Sequence, residues 1–202
     1  GRDYNTVDMS ERQFREFYLP PYKAGVNAGA LSVMTAFNEY DGVPATGNAY
    51  LLKDILKGEW NFQGFVVTDY TSINEMVHHG YARNDAEAGV KAVNAGVDMD
   101  LQGEVYFTYL RGLVESGIVS ERTIDEAVRR ILNVKEKLGL FDNPYLYCDS
   151  AREKEVVSDP EIKALSREVA RKSMVLLKNN GCLPFDRGDR IAVIGELAAS
   201  RR

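Results

Sequence analysis

The chain predicts an α/β fold in which helices cross a parallel sheet, and two observations carry that expectation. Short apolar runs at Leu31–Phe37 and Phe65–Thr68, with a third at Val97–Leu101 broken by aspartates, have the length of strands buried on both faces. Helical patterns of about 10–15 residues separate them, and buried strands alternating with such helices form parallel sheets with right-handed crossovers.

Ser10-Glu-Arg-Gln13 is a capping-box pattern, followed at helical spacing by Phe14, Phe17 and Tyr18. The expected helix is interrupted at Pro20-Pro21 and restarts after them. Leu31–Phe37 is the first strand, and Asp41–Asn48, rich in Gly, Pro and Asn, is expected to be a loop. Leu51–Gly58 reads as a short helix, and Gly64-Phe-Val-Val-Thr-Asp69 as a second strand that ends in a carboxylate. Asn84 caps a helix through Ala95 that Gly96 closes, and Val97–Leu101 is the third strand. Two more helices follow, Glu104–Glu115 and one opened by the capping box Thr123-Ile-Asp-Glu126 and closed after Leu138 by Gly139. The stretch from Phe141 to Pro160 breaks into Asp-Asn-Pro, tyrosines and charges, the pattern of a surface linker. Ser158 then starts a helix bearing Ile162, Leu165 and Val169, and Arg190–Gly195 reads as one further parallel-type strand.

The expected organisation is a partial βα unit over residues 1–141, a linker over 142–160 and the start of a second α/β unit over 161–202. A closed eight-stranded (β/α) barrel takes about 250 residues, so three strands make only part of one and leave open sheet edges.

Composition narrows the function classes. With 25 basic and 30 acidic residues the net charge is −5, and no basic stripe is present to neutralise phosphates, which argues against nucleic acid. No apolar stretch approaches the roughly 18 residues that cross a bilayer. The N-terminus lacks a start Met and a signal-peptide pattern, so the chain reads as a soluble excerpt with no membrane partner. Cys148 and Cys182 lack metal-ligand spacing, and the adjacent His78-His79 lacks the i, i+4 spacing or third ligand of a metal site. That pair is expected in a loop or at a helix start. No metal and no cofactor is expected, since Gly195 begins no dinucleotide-binding glycine pattern.

Function in parallel α/β folds collects at the carboxyl ends of strands. Asp69 closes an apolar run there, held by rigid backbone, a placement suited to a nucleophile, a base or a sugar-hydroxyl acceptor, or equally to a cap of the next turn. Asp98 and Asp100 close the third strand and are expected to make structural hydrogen bonds.

The motifs Gly1-Arg-Asp-Tyr-Asn-Thr-Val-Asp-Met-Ser10, Val33-Met-Thr-Ala-Phe-Asn38, Asp41-Gly-Val-Pro-Ala-Thr46, Gly64-Phe-Val-Val-Thr-Asp69, Ala95-Gly-Val-Asp-Met-Asp100, Leu138-Gly-Leu-Phe141 and Val175-Leu-Leu-Lys-Asn179 with Leu183-Pro184 occur in an order that resembles glycoside hydrolase family 3. The resemblance is to its β-glucosidase branch. It implies the C-terminal portion of a (β/α)8-like barrel, a linker and the start of an α/β sandwich domain. It also implies a retaining, exo-acting β-glycosidase that hydrolyses terminal β-D-glucosyl residues through a covalent intermediate, with Asp69 at the nucleophile's position.

By the same resemblance Met34, Phe37 and Tyr70 line the sugar subsite. Phe37 stands where many relatives carry Tyr and has no hydroxyl to offer, and Tyr70 stands where Trp is frequent. The resemblance places the acid/base Glu of two-domain members beyond the point matching Arg202, so Glu196 is not assigned that role. It places the Lys-His pair, an aspartate and an arginine that grip the sugar upstream of Gly1. The chain by itself is therefore expected to be incomplete and weakly active or inactive. The partner implied is a β-glucoside or oligosaccharide, and the compartment periplasmic or secreted. Two alternatives stay open: a β-xylosidase or N-acetylglucosaminidase of the same family, and a non-catalytic half-barrel that associates through its open edges with itself or with the missing half.

Overall fold

The computed structural model describes residues 4–200; Gly1 to Asp3, the start of the first motif, lie outside them. The chain divides into two units, Gly1–Leu146 and Tyr147–Arg202.

In the first unit the strands are β1 (Thr6–Val7), β2 (Ser32–Met34), β3 (Glu39–Tyr40), β4 (Val43–Pro44) and β5 (Phe65–Val67). β2 and β5 pair in parallel with Ser32 opposite Phe65, Val33 opposite Val66 and Met34 opposite Val67. The expected third strand is reduced to one parallel bridge between Val67 and Met99. The reason is a side chain: the Val66 N–H, which faces this segment, donates to the Asp98 carboxylate at 2.8 Å instead of to a backbone carbonyl. The expected loop at 41–48 supplies the turn and second strand of a hairpin, β4 antiparallel to β3, and β1 joins β3 in parallel.

The first helix runs without interruption through α1 (Glu11–Gln13), a π-helical stretch (Phe14–Tyr18) and α2 (Leu19–Asn27), capped by the Ser10 side chain. The expected break at Pro20-Pro21 does not occur. The wider π turn carries the Leu19 N–H back to the Phe14 carbonyl, and the prolines fall in the first turn of α2, where a missing N–H is tolerated. A second π-helix, Tyr50–Glu59, replaces the expected short helix and buries Leu52, Ile55 and Leu56.

Beyond β5 come α3 (Ser72–His78), α4 (Asp85–Ala95), α5 (Val105–Glu115) and α6 (Glu121–Lys137). Asn84 caps α4 by accepting from the Glu87 N–H at 2.9 Å, and Gly96 closes it at φ 104°, a left-handed turn that glycine adopts without strain. α6 starts three residues earlier than the Thr123 capping box predicts, because the Ser120 side chain accepts the Thr123 N–H at 3.2 Å. The core lies where β5, the second π-helix and α3 to α5 converge, around Val66, Ile73, Met76, Ala88, Ala92 and Val105.

In the second unit, α7 (Ser150–Ser158) occupies the segment expected to be an irregular linker, because the Asp149 side chain accepts two amides of its first turn. α8 (Pro160–Ser173) starts two residues after Ser158, since the Asp159 carboxylate caps it and Pro160 presets its first φ. Neither helix buries a residue. The strand expected at Arg190–Gly195 does not form, for it has no neighbour among the described residues, and Ile194 is 91% exposed.

Candidate active site

The chain leaves β5 through Thr68 and Asp69, and both sides of that exit are stitched to residues 99–101. The Thr68 N–H donates to the Met99 carbonyl at 3.0 Å, the Leu101 N–H donates to Thr68 Oγ1 at 2.8 Å, and the Thr71 N–H donates to the Leu101 carbonyl at 3.1 Å. Thr68 is fully buried, and Thr71 sits at φ 55°, turning the chain sharply into α3. Asp69 stands half-buried on this turn, its Oδ1 accepting the Tyr70 N–H at 2.6 Å, which fixes its rotamer. A rigid turn that presents one carboxylate is suited to attack on, or hydrogen bonding to, a ligand seated over the strand ends.

Of the other sequence-predicted residues, Met34 and Tyr70 reach the surface, 51% and 54% exposed. Met34 pairs in register with Val67, two residues before Asp69, so strand pairing brings these positions to one end of the sheet. Phe37 goes inside instead, stacking on Tyr4 with ring centroids 4.4 Å apart. It contributes packing beneath the surface.

Asp98 and Asp100 are absorbed by structure. The Asp98 carboxylate accepts from the Val66 N–H, from Lys57 Nζ at 3.0 Å and from Arg130 Nε at 3.0 Å. Burial pushes the Lys57 ammonium below its ordinary range against the pull of Asp98. Asp100 Oδ2 accepts the Val105 and Tyr106 N–H groups at the start of α5.

His78 ends α3 and His79 lies in the turn after it, so the pair starts no helix while His79 stands in a loop as expected, in contact with Glu39. These long-range partners left no signal in the sequence, because nothing local marks a lysine, an arginine or a histidine as another segment's counter-ion. Among the described residues no group of three or more His, Cys, Asp and Glu is placed to hold a metal ion. An apolar groove of about 500 Å³ lies between β2, the first helix and the second π-helix; Phe14, Tyr18, Met34, Ile55 and Trp60 line it, so it shares Met34 with the candidate site, and Asp69 does not line it.

Comparison with known proteins decides the family. Residues 1–134 match the glycosyl hydrolase family 3 N terminal domain. The chain belongs to glycosyl hydrolase family 3. It is 45% identical to a periplasmic beta-glucosidase of Salmonella typhimurium, over 100% of this chain and 27% of that protein. It is 40% identical to a beta-xylosidase of Formosa agariphila, over 96% of this chain and 28% of that protein. A crystal structure of a Listeria innocua beta-glucosidase in complex with glucose superposes with a TM-score of 0.77 at 43% identity, covering 90% of this chain and 25% of that one. The chain thus spans about a quarter of the length of the family members it matches.

Proposed function

We propose that this family 3 chain carries the nucleophile of a retaining, exo-acting β-glycosidase acting on terminal β-D-glucosyl residues. The observation that supports this most directly is Asp69 on its stitched turn at the carboxyl end of β5, with exposed Met34 on the neighbouring strand and exposed Tyr70 beside it. In the proposed reaction an Asp69 oxygen bonds to the anomeric carbon as the bond to the leaving oxygen breaks. A second carboxylic acid, about 5–5.5 Å away in retaining enzymes, gives its proton to that oxygen. The same group then takes a proton from the water that attacks the anomeric carbon and releases Asp69. That acid/base is supplied from outside these 202 residues, as are most contacts to the sugar hydroxyls. Loss of general acid catalysis alone costs about 10²–10⁴-fold, so the isolated chain turns over weakly or not at all.

In this reading residues 1–141 form the C-terminal part of a (β/α)8-like barrel, 142–160 connect it, and 161–202 begin an α/β sandwich. β2 has no second neighbour in its sheet among the described strands, and the apolar groove beside it is where the remaining barrel, or a second copy, completes the fold. The Salmonella relative's name supports a periplasmic setting.

The test is intact-protein mass after incubation with a 2-fluoro-glucoside bearing an activated leaving group, which needs no acid. One glycosyl adduct on the native chain, absent from Asp69→Asn, supports the assignment; an adduct that persists in the variant refutes it. The Formosa beta-xylosidase favours a second reading of the sugar, and faster labelling by the 2-fluoro-xyloside would select it.

A further inference from the structure

Two segments leave the same end of the β2–β5 pair side by side. One is the connection after β2, which carries Phe37, Asn38 and the β3–β4 hairpin; the other is the turn of Asp69 followed by α3. They are fastened together at both ends of α3. At its start, a buried chain of hydroxyls runs from Thr35 Oγ1 to Thr46 Oγ1 at 2.9 Å and on to Ser72 Oγ at 3.0 Å, three residues after Asp69. At its end, His79 Nδ1 meets Glu39 Oε1 at 2.6 Å, with the two side chains only 12% and 15% exposed.

Glu39 is the node of this arrangement. Its other oxygen accepts Thr6 Oγ1 at 3.0 Å, and its own N–H donates to the Asn5 carbonyl at 3.3 Å, so β1, the hairpin and α3 meet on one residue. An exposed contact of this kind would contribute little, but this one is largely withdrawn from water and both carboxylate oxygens are engaged, the setting in which a hydrogen bond to a carboxylate is strong. The hydroxyl chain is sealed in the core, so the Glu39–His79 contact is the fastening that solvent can reach and that a single substitution can release.

We infer that Glu39 and His79 form a clasp that holds the 37–46 strap along α3, and that both are positioning residues for sugar binding at the Asp69 turn. The second part rests on the functional reading given above. Neither residue touches the reacting atoms; the clasp sets where the segment bearing Phe37 and Asn38 stands relative to Asp69.

The experiment compares the full chain with His79→Ala and His79→Asn, the latter keeping a donor close to the place of Nδ1. Amide exchange reads the clasp by itself. In His79→Ala the Glu39, Asp41 and Ala45 amides, bonded to the Asn5, Val7 and Asn38 carbonyls, should exchange about tenfold faster or more. The Thr68 and Met99 amides should hold their native rates, which also shows that the variant is folded. Labelling by the 2-fluoro-glucoside reads positioning: the efficiency should drop about tenfold through weaker sugar binding at saturable rate, with His79→Asn largely restored. Native exchange rates for the strap in His79→Ala overturn the clasp. Faster exchange with unchanged labelling overturns the positioning role. A native chain that takes no label overturns the reading that this chain by itself seats the sugar, and with it the positioning role, with the clasp still decided by exchange.

Discussion

Replacing Asp98 by Ala removes the acceptor shared by a strand amide and two cations. The Asp98 side chain is 1% exposed, and its partners Lys57 and Arg130 are 15% and 25% exposed. The variant therefore leaves the Val66 N–H without its acceptor in the middle of β5 and two largely withdrawn cations without a counter-charge. Breaking a buried pair by deleting one partner costs about 3–5 kcal/mol, and an orphaned buried donor about 1–3 kcal/mol. The two overlap, because water that enters to solvate the cations also reaches the amide, so a total of about 4 kcal/mol is expected. Against a stability of about 5–15 kcal/mol, that removes from about a quarter to most of what keeps the first unit folded.

The pH dependence of Asp98→Asn separates the charge from the amide. The asparagine oxygen still accepts from Val66, so the cost left is that of unpaired Lys57 and Arg130. Burial already lowers Lys57 below 10.5, and removing Asp98, which raises it, lowers it further. A base whose folded pKa is depressed binds more protons when unfolded, so stability rises with pH between the folded pKa and 10.5. In the variant that rise begins at lower pH, and the difference from the native chain shrinks as the solution is made alkaline. Urea unfolding followed by the single tryptophan, Trp60, which packs against the core, measures both effects. An Asp98→Ala variant within about 1 kcal/mol of native at pH 7 would refute the reasoning, since it would place the cluster among exposed pairs that contribute little.

Gly64→Ala should destabilise by about 3 kcal/mol. Its Cβ would overlap the Leu31 carbonyl and come within 2.5 Å of the Phe62 ring at the entry to β5, and an unchanged urea midpoint would contradict this. Ser120→Ala should cost about 1 kcal/mol and Thr123→Ala much less, in the same assay, because Ser120 caps α6; the reverse order would restore the Thr123 box. Glu87 should titrate at about 2 by carbon-detected NMR, held down first by the Arg83 side chain, and Arg83→Gln should move it up toward the ordinary 4.5.

Local signals were legible without the fold because they close within one turn. The caps at Ser10 and Asn84 and the glycine stops at Gly96 and Gly139 each concern residues a few positions apart, and all stand where expected. The family was legible too, since motifs in a fixed order are a property of the sequence. Asp69 as a candidate followed from a carboxylate at the end of an apolar run, whose strand is present as β5.

Tertiary structure decided what depends on distant partners. Whether Val97–Leu101 is a strand turned on the Asp98 carboxylate taking the Val66 amide, a choice between side chain and backbone separated by 32 residues. Whether Arg190–Gly195 is a strand turned on having a neighbour. The prolines of the first helix were rescued by a change in turn width that no propensity encodes. The Lys57–Asp98–Arg130 cluster and the Glu39–His79 clasp join residues 32 to 41 positions apart. The physical reason is the same throughout: a capping bond is made by neighbours that the chain already holds together, whereas a ladder, an ion pair or a clasp exists only after folding has brought its second half into place.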